Sequence, residues 1–185
     1  AWHGLGQIVE DYPISKEALQ FAGLDYEVCK RPNIHRLDNG NEIISTNSFY
    51  TYRTDSNAIL GDRLGKDYEV VQNTDAFSFF DAIVDGDGIQ YETAGALGKG
   101  EKIFITAKLP GYIKVGNDDM IEKYLFLTTS HDGFGSIMAA FTPIRIVCNN
   151  TLNAALKNCS NAVKIRHTAN VKERLEEAHK VMGIS

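Results

Sequence analysis

The feature that most narrows the fold is a run of strand-like segments in the middle of the chain, with little room between them. Ile89–Ala96, Lys102–Leu109, Ile121–Thr129 and Ser136–Val147 follow one another. Parallel neighbours need a crossover of a dozen or more residues, usually a helix. Pro110-Gly111 and His131-Asp132-Gly133 are tight turns that favour reversal instead. The expected fold class is therefore α+β, a mainly antiparallel meander sheet packed against two or three helices. Tyr124–Leu127 is apolar on both faces, which makes the third strand central. Pro143 cannot donate to a ladder, so the last strand is expected to bulge or bend there.

The flanking segments supply the helices. Ser15–Gly23 reads as a short helix, capped by Ser15 and ended by Gly23 in the left-handed conformation. Leu24–Arg31 reads as a strand closed by Pro32, and Asp38–Asn41 as a strand-joining turn. Phe49–Arg53, a short continuation at Ile59-Leu60, and Tyr68–Val71 read as further strands. Asn73 or Thr74 is expected to cap a helix over Asp75–Val84, with Ala76, Phe77, Phe80 and Ile83 on one stripe and Asp85–Gly88 ending it. Asn150–Lys157 is the next helix, Val163–His167 a strand, and Asn170–Met182 an amphipathic helix. Residues 1–168 are expected to form one α+β domain, with 169–185 a trailing helix. A start without Met and an end just past that helix predict a piece of a longer chain.

Composition excludes several classes. Hydrophobic residues make up 43%, charged residues 23%, and Gly 16 of 185, which excludes disorder and collagen-like repeats. Apolar runs such as Ile137–Phe141 are interrupted within a few positions, so no membrane partner is expected. Three distant cysteines without a C-x-x-C suit a reducing cytosol, and five scattered histidines lack metal-ligand spacing. Neither a metal nor a cofactor is expected. The net charge of −5 is unevenly spread: residues 133–185 hold seven basic against three acidic side chains, and residues 1–132 hold 12 against 21. A segregated field of this kind can attract an anion to one side of an acidic protein.

Most motifs reduce to structure. Thr93–Gly100 has the wrong glycine spacing for a phosphate loop and reads as a hairpin turn. Cys148, after Ile146-Val147, reads as a buried thiol unless His131 or His167 stands beside it as a base. The polar cluster at Arg145, Asn149, Asn150, Thr151 and Asn153 is different. A strand delivers Arg145 to an opening helix, where free backbone N–H groups and a guanidinium fork suit carboxylate or phosphate. His131 and Arg166 are expected nearby. The competing reading makes Asn150 a cap and pairs Arg145 with an internal acid.

Several stretches carry a family resemblance: Trp2-His3-Gly4-Leu5-Gly6, Glu17-Ala18-Leu19, Ala22-Gly23-Leu24-Asp25, Val71-Gln72-Asn73, Tyr91–Gly95, Ala107–Gly111, Thr129–Gly133, Thr142–Cys148, Asn150–Asn153 and Ile165–Thr168. In this order they resemble the phage/plasmid-like protein family built on the domain of unknown function numbered 932. The resemblance implies a phage, plasmid or conjugative-element setting in a bacterial cytoplasm, and relatives that run further at the C-terminus. It carries over no catalytic residues. A meander followed by a helix also looks like the core of strand-annealing recombination proteins, an analogy of fold alone.

The expected function is a non-enzymatic single-stranded nucleic-acid binder or annealing-type accessory, with a homo-oligomer among its arrangements. Such a protein combines cations along the phosphates with aromatic platforms for bases. Tyr50, Tyr52 with Arg53, and Phe104 are the aromatics considered. The alternatives are a regulatory or host-interaction module, and an enzyme using His131, Arg145 and Cys148.

Overall fold

The computed structural model describes residues 7–8, 15–84, 90–111, 123–168, 170, 171, 173, 174 and 177. In chain order the elements are β1 (Gln7–Ile8), α1 (Ser15–Phe21), β2 (Val28–Arg36), β3 (Glu42–Arg53), β4 (Ile59–Leu64), α2 (Asn73–Val84), β5 (Gln90–Leu97), β6 (Lys102–Lys108), β7 (Tyr124–Ser130), β8 (Ile137–Thr142), α3 (Asn149–Lys157) and β9 (Ser160–Ile165). Six strands form one sheet in the order β1-β5-β6-β7-β8-β9, and every pairing is antiparallel. The other three form a second antiparallel sheet, β2-β3-β4. The α+β meander is thus the architecture, and β7 lies inside the large sheet between β6 and β8.

Register decides which side chains share a face. Ile103, Ile105, Leu125, Leu127, Ile137, Ala139 and Phe141 point one way and bury against Ala18 and Leu19 of α1 and Ala76 and Phe77 of α2. Phe104, Phe126 and Ala140 point the other way and bury against Leu152 and Ala155 of α3. The strands are apolar on both faces because both faces are covered. Each fully buried Phe or Leu contributes roughly 1.5–3 kcal/mol relative to exposure. α1 ends as expected: Gly23 has φ +73°, its N–H donates to the Gln20 carbonyl, and the Leu24 N–H donates to Leu19.

The three-stranded sheet departs most from expectation. β2 starts at Val28 rather than Leu24 and runs through Pro32 to Arg36, with a register shift between Pro32 and Ile34; Pro32 is accommodated because β2 is an edge strand. β3 begins at Glu42, seven residues before the expected strand at Phe49. With its partner it forms a long hairpin arm, on which Ile34, Leu37, Ile43 and Ile44 stay exposed. Tyr68–Val71 is not a strand, because its groups are engaged elsewhere: the Lys30 ammonium donates to the Tyr68 carbonyl, and the Glu69 N–H donates to His167. Pro143 ends β8 at Thr142 instead of bending a longer strand. β9 spans Ser160–Ile165, three residues earlier than expected at its start.

Helix starts also differ. Asn73 does not cap α2; it donates to the Leu24 carbonyl, while the Asp75 carboxylate accepts the Gln72 N–H. Cys148 is the N-cap position of α3, and Thr151 Oγ1 reaches back to accept the N–H groups of Val147 and Cys148. Phe80 and Ile83 as side chains, Asp85–Gly88, and most of the helix expected over Asn170–Met182 lie outside the described residues.

Candidate functional site

The sequence-predicted cluster divides between the two ends of the large sheet. Thr142 pairs with Tyr124 at one end of β7, and Ser130 lies at the other, six residues or about 20 Å away. Arg145 and the start of α3 follow Thr142, whereas His131 follows Ser130 directly. Arg166 follows Ile165, which pairs with Ile137 at the His131 end. Arg145 and Arg166 therefore do not meet, and neither do Cys148 and His131.

At the first end, Arg145 Nη2 pairs with Glu92 Oε1 at 2.6 Å. The Glu92 side chain is only 6% exposed, and that of Arg145 is 41% exposed. The guanidinium is thus engaged by an internal acid of β5. Asn149, Asn150 and Asn153 are exposed on α3, and Thr151 is half-buried in its capping role. The Cys148 thiol is drawn below its ordinary pKa, mainly by its hydrogen bond with Thr151. Neither candidate base stands beside it: His131 bonds Asn73, and His167 bonds Thr129 and the Glu69 carbonyl.

Arg145→Ala strips the cation from a buried carboxylate. Breaking a fully buried pair costs about 3–5 kcal/mol, and the solvent-open guanidinium lowers that here to about 1–2 kcal/mol. Chemical denaturation should show this loss, with Arg145→Lys recovering part of it. An unchanged midpoint for Arg145→Ala removes the ion pair from the account of stability.

The second end is built more elaborately. His131 is fully buried, donates through Nε2 to Asn73 Oδ1 at 2.8 Å, and lies edge-on to the Tyr26 ring. Its carbonyl accepts the Thr51 hydroxyl of β3 at 2.5 Å, and its N–H donates to Glu101. Burial pushes the imidazole pKa down to about 4. Arg53 stacks 3.8 Å over Tyr26 and donates to the Lys99 carbonyl, while the Tyr26 hydroxyl donates to Gly100. These contacts seat the arm's base on the β5–β6 and β7–β8 turns.

The β7–β8 turn then presents its tip to solvent. Gly133 and Gly135 adopt positive φ, +89° and +78°, and the Phe134 ring between them is 69% exposed. Asp132 Oδ1 accepts the Phe134 N–H, and Ser130 donates to its carbonyl, so the ring is held out on a fixed loop. An open cleft of about 620 Å³ lies beside this loop, lined by Lys66, Asp67, Tyr68, Arg166 and His167 among others. Tyr68 and His167 stack there at 4.8 Å. A second cavity of about 340 Å³ adjoins it through Gly135 and Ser136, and Lys102 and Lys164 line it. Among the described residues, none of Lys66, Lys102, Lys164 and Arg166 forms an ion pair.

Of the residues at this end of the sheet, the sequence pattern singled out Arg166 and His131 and passed over Phe134, Lys66, Lys102 and Lys164. Phe134 sits inside a glycine-rich turn, a position that signals only a reversal. The aromatics singled out instead are engaged in packing: Phe104 is fully buried, and Tyr50 and Tyr52 lie half-buried against each other. Among the described residues, no three His, Cys, Asp or Glu side chains converge as metal ligands. No described helix is long and apolar enough to cross a membrane.

No curated protein matches the chain, and no solved structure matches it. A family model, Domain of unknown function (DUF932), matches residues 62–185. The match begins within β4 and takes in α2, the meander β5–β9, and α3, including the Phe134 loop and Lys66, Lys102, Lys164 and Arg166. Covering more than half of the chain, it establishes that this protein belongs to the DUF932 family.

Proposed function

We propose that the protein is a non-enzymatic binder of single-stranded nucleic acid, acting in the bacterial cytoplasm of a phage or plasmid setting. The observation that carries this reading is the exposed Phe134 on a hydrogen-bonded loop whose neighbouring glycines border two clefts, one lined by Lys66 and Arg166 and the other by Lys102 and Lys164. A strand needs cations for its phosphates and a π-face for its bases, and this surface offers both. Asp67 is a local counter-charge in the larger cleft, so the cations outnumber it without forming a dense basic run. Arg166 belongs to the contact surface. His131 supports the loop from beneath rather than touching the strand, and Arg145 with Asn149–Asn153 faces elsewhere.

A fluorescein-labelled oligo-dT is expected to bind and to weaken steeply as salt rises, because phosphate contacts release counterions. Phe134→Ala should cost about 1–3 kcal/mol of binding, the worth of one stacked base, with no loss of thermal stability. A parent protein that leaves the oligonucleotide free at low salt overturns the reading. A second reading, a regulatory or host-interaction module, draws on the exposed Ile34, Ile43 and Ile44 of the arm. It is favoured if arm substitutions abolish activity in the host while Phe134→Ala is silent.

A further inference from the structure

We propose that the cavity on the α3 side of the large sheet seats one nucleotide unit, with its base against Met138 and Leu156 and its phosphate on Lys102 and Lys164. This rests on the nucleic-acid reading and adds a defined pocket to it. The register builds the cavity. Lys102 pairs with Ser130, Thr128 with Met138, and Met138 with Lys164, which places these side chains on the face that α3 covers. α3 covers that face only in part, and Leu156 closes one side of the space that remains. The volume of about 340 Å³ falls within the range of small-ligand sites, roughly 300–1,000 Å³.

Charge selects the class of occupant. Two ammonium groups line the cavity and, among the described residues, no carboxylate does. Lys102 and Lys164 stand on β6 and β9, with β7 and β8 between them. Three strand spacings separate their backbones by about 14 Å, so the long side chains lean over the opening from opposite sides. The floor is already fixed. Thr128 donates to the Ile103 carbonyl, Thr129 bonds His167, and Ser130 donates to Phe134. Met138 and Leu156 give the walls apolar surface against which a base can lie flat, while the ammonium groups reach outward to an anion. Ser130 both lines this cavity and anchors the Phe134 loop, so the two features are joined at one residue.

The same chemistry is carried by a free mononucleotide and by one residue of a strand, and two probes separate them. dTMP and fluorescein-labelled oligo-dT are titrated against the parent, the Lys102→Ala/Lys164→Ala double variant, and Lys157→Ala as a charge control outside the cavity. The expected result is that dTMP binds the parent and displaces the oligonucleotide. The double variant should lose at least tenfold in affinity for both probes at an unchanged melting temperature, and Lys157→Ala should keep dTMP binding. If the oligonucleotide binds but dTMP neither binds nor competes, and the double variant matches the parent, the cavity assignment is wrong and the single-strand reading stands. If dTMP binds through the two lysines while the oligonucleotide does not, the cavity is a free-nucleotide site and the single-strand reading is wrong. Binding of neither probe overturns both.

Discussion

Lowering the pH from 6.5 towards 4 is expected to remove on the order of 3 kcal/mol of folding stability, chiefly through His131. Its imidazole is fully buried, donates through Nε2 to Asn73, and has no hydrogen-bond partner at Nδ1 among the described residues. Burial is the main reason its pKa falls to about 4, and the nearby His167 acts in the same direction. The unfolded chain takes up this proton near 6.5. The folded chain resists it until about 4, so the unfolded state binds more protons throughout that window. The contribution is complete above 6.5, declines as the pH falls, and is lost near 4. Each pH unit across the window is worth about 1.4 kcal/mol. His167, held below its ordinary value by burial, adds to the same trend. Urea denaturation across the window should show a falling midpoint at constant slope. A His131 ring resonance that titrates near 6.5 in the folded protein excludes this account.

Gly61→Val is expected to cost about 3 kcal/mol, the upper end of over-packing effects. A Cβ at Gly61 meets the Asp132 carbonyl oxygen at 2.6 Å, its Cα at 2.7 Å and its carbonyl carbon at 2.8 Å. These are backbone atoms, which cannot turn aside as a flexible side chain can. Asp132 is itself pinned, because the preceding residue accepts from Thr51 and donates to Glu101. The arm must lift off the turn, or the turn must move and take Phe134 with it. Gly65 offers a control in the following loop, since a Cβ there meets nothing within 4 Å. Gly65→Ala should be neutral. Thermal melts of Gly61→Ala, Gly61→Val and Gly65→Ala provide the comparison, and equal midpoints would remove the close approach from the argument.

The meander was legible because its strands are apolar on both faces and its β5–β6 and β7–β8 reversals are short. Consecutive strands so joined have few options. The arm was not legible over Glu42–Ser48, where Ser45, Thr46, Asn47 and Ser48 break any apolar alternation. Glu42, Ile43 and Ile44 are strand through pairing with Arg36, His35 and Ile34 of β2, a partner that local pattern does not reveal, and Ser45–Ser48 fall in the register shift that follows. The turn at His131 was read as a turn, but its burial arises from Asn73 and Thr51, both distant in sequence. Arg145 was legible as an anion seeker, and a buried carboxylate of β5 is the anion it found. The four cations of the two clefts come from the β4–α2 connection, β6, β9 and the residue after it. No local window contains more than two of them, so only the fold assembles the surface.

The arm's outer strand has a further consequence. β2 is the edge of its sheet, so its free backbone runs beside Ile34 and close to Ile43 and Ile44, all left in water. A long apolar edge of this kind is a template on which another chain can add a strand. Pro32 spoils the template, having no N–H to offer, and the bulge that follows bends the strand away from a flat partner. Lys30, Arg31 and Arg36 place like charges along the same strand, so two such edges brought together repel. An arm built in this way is expected to resist strand addition at its edge while its isoleucines remain exposed.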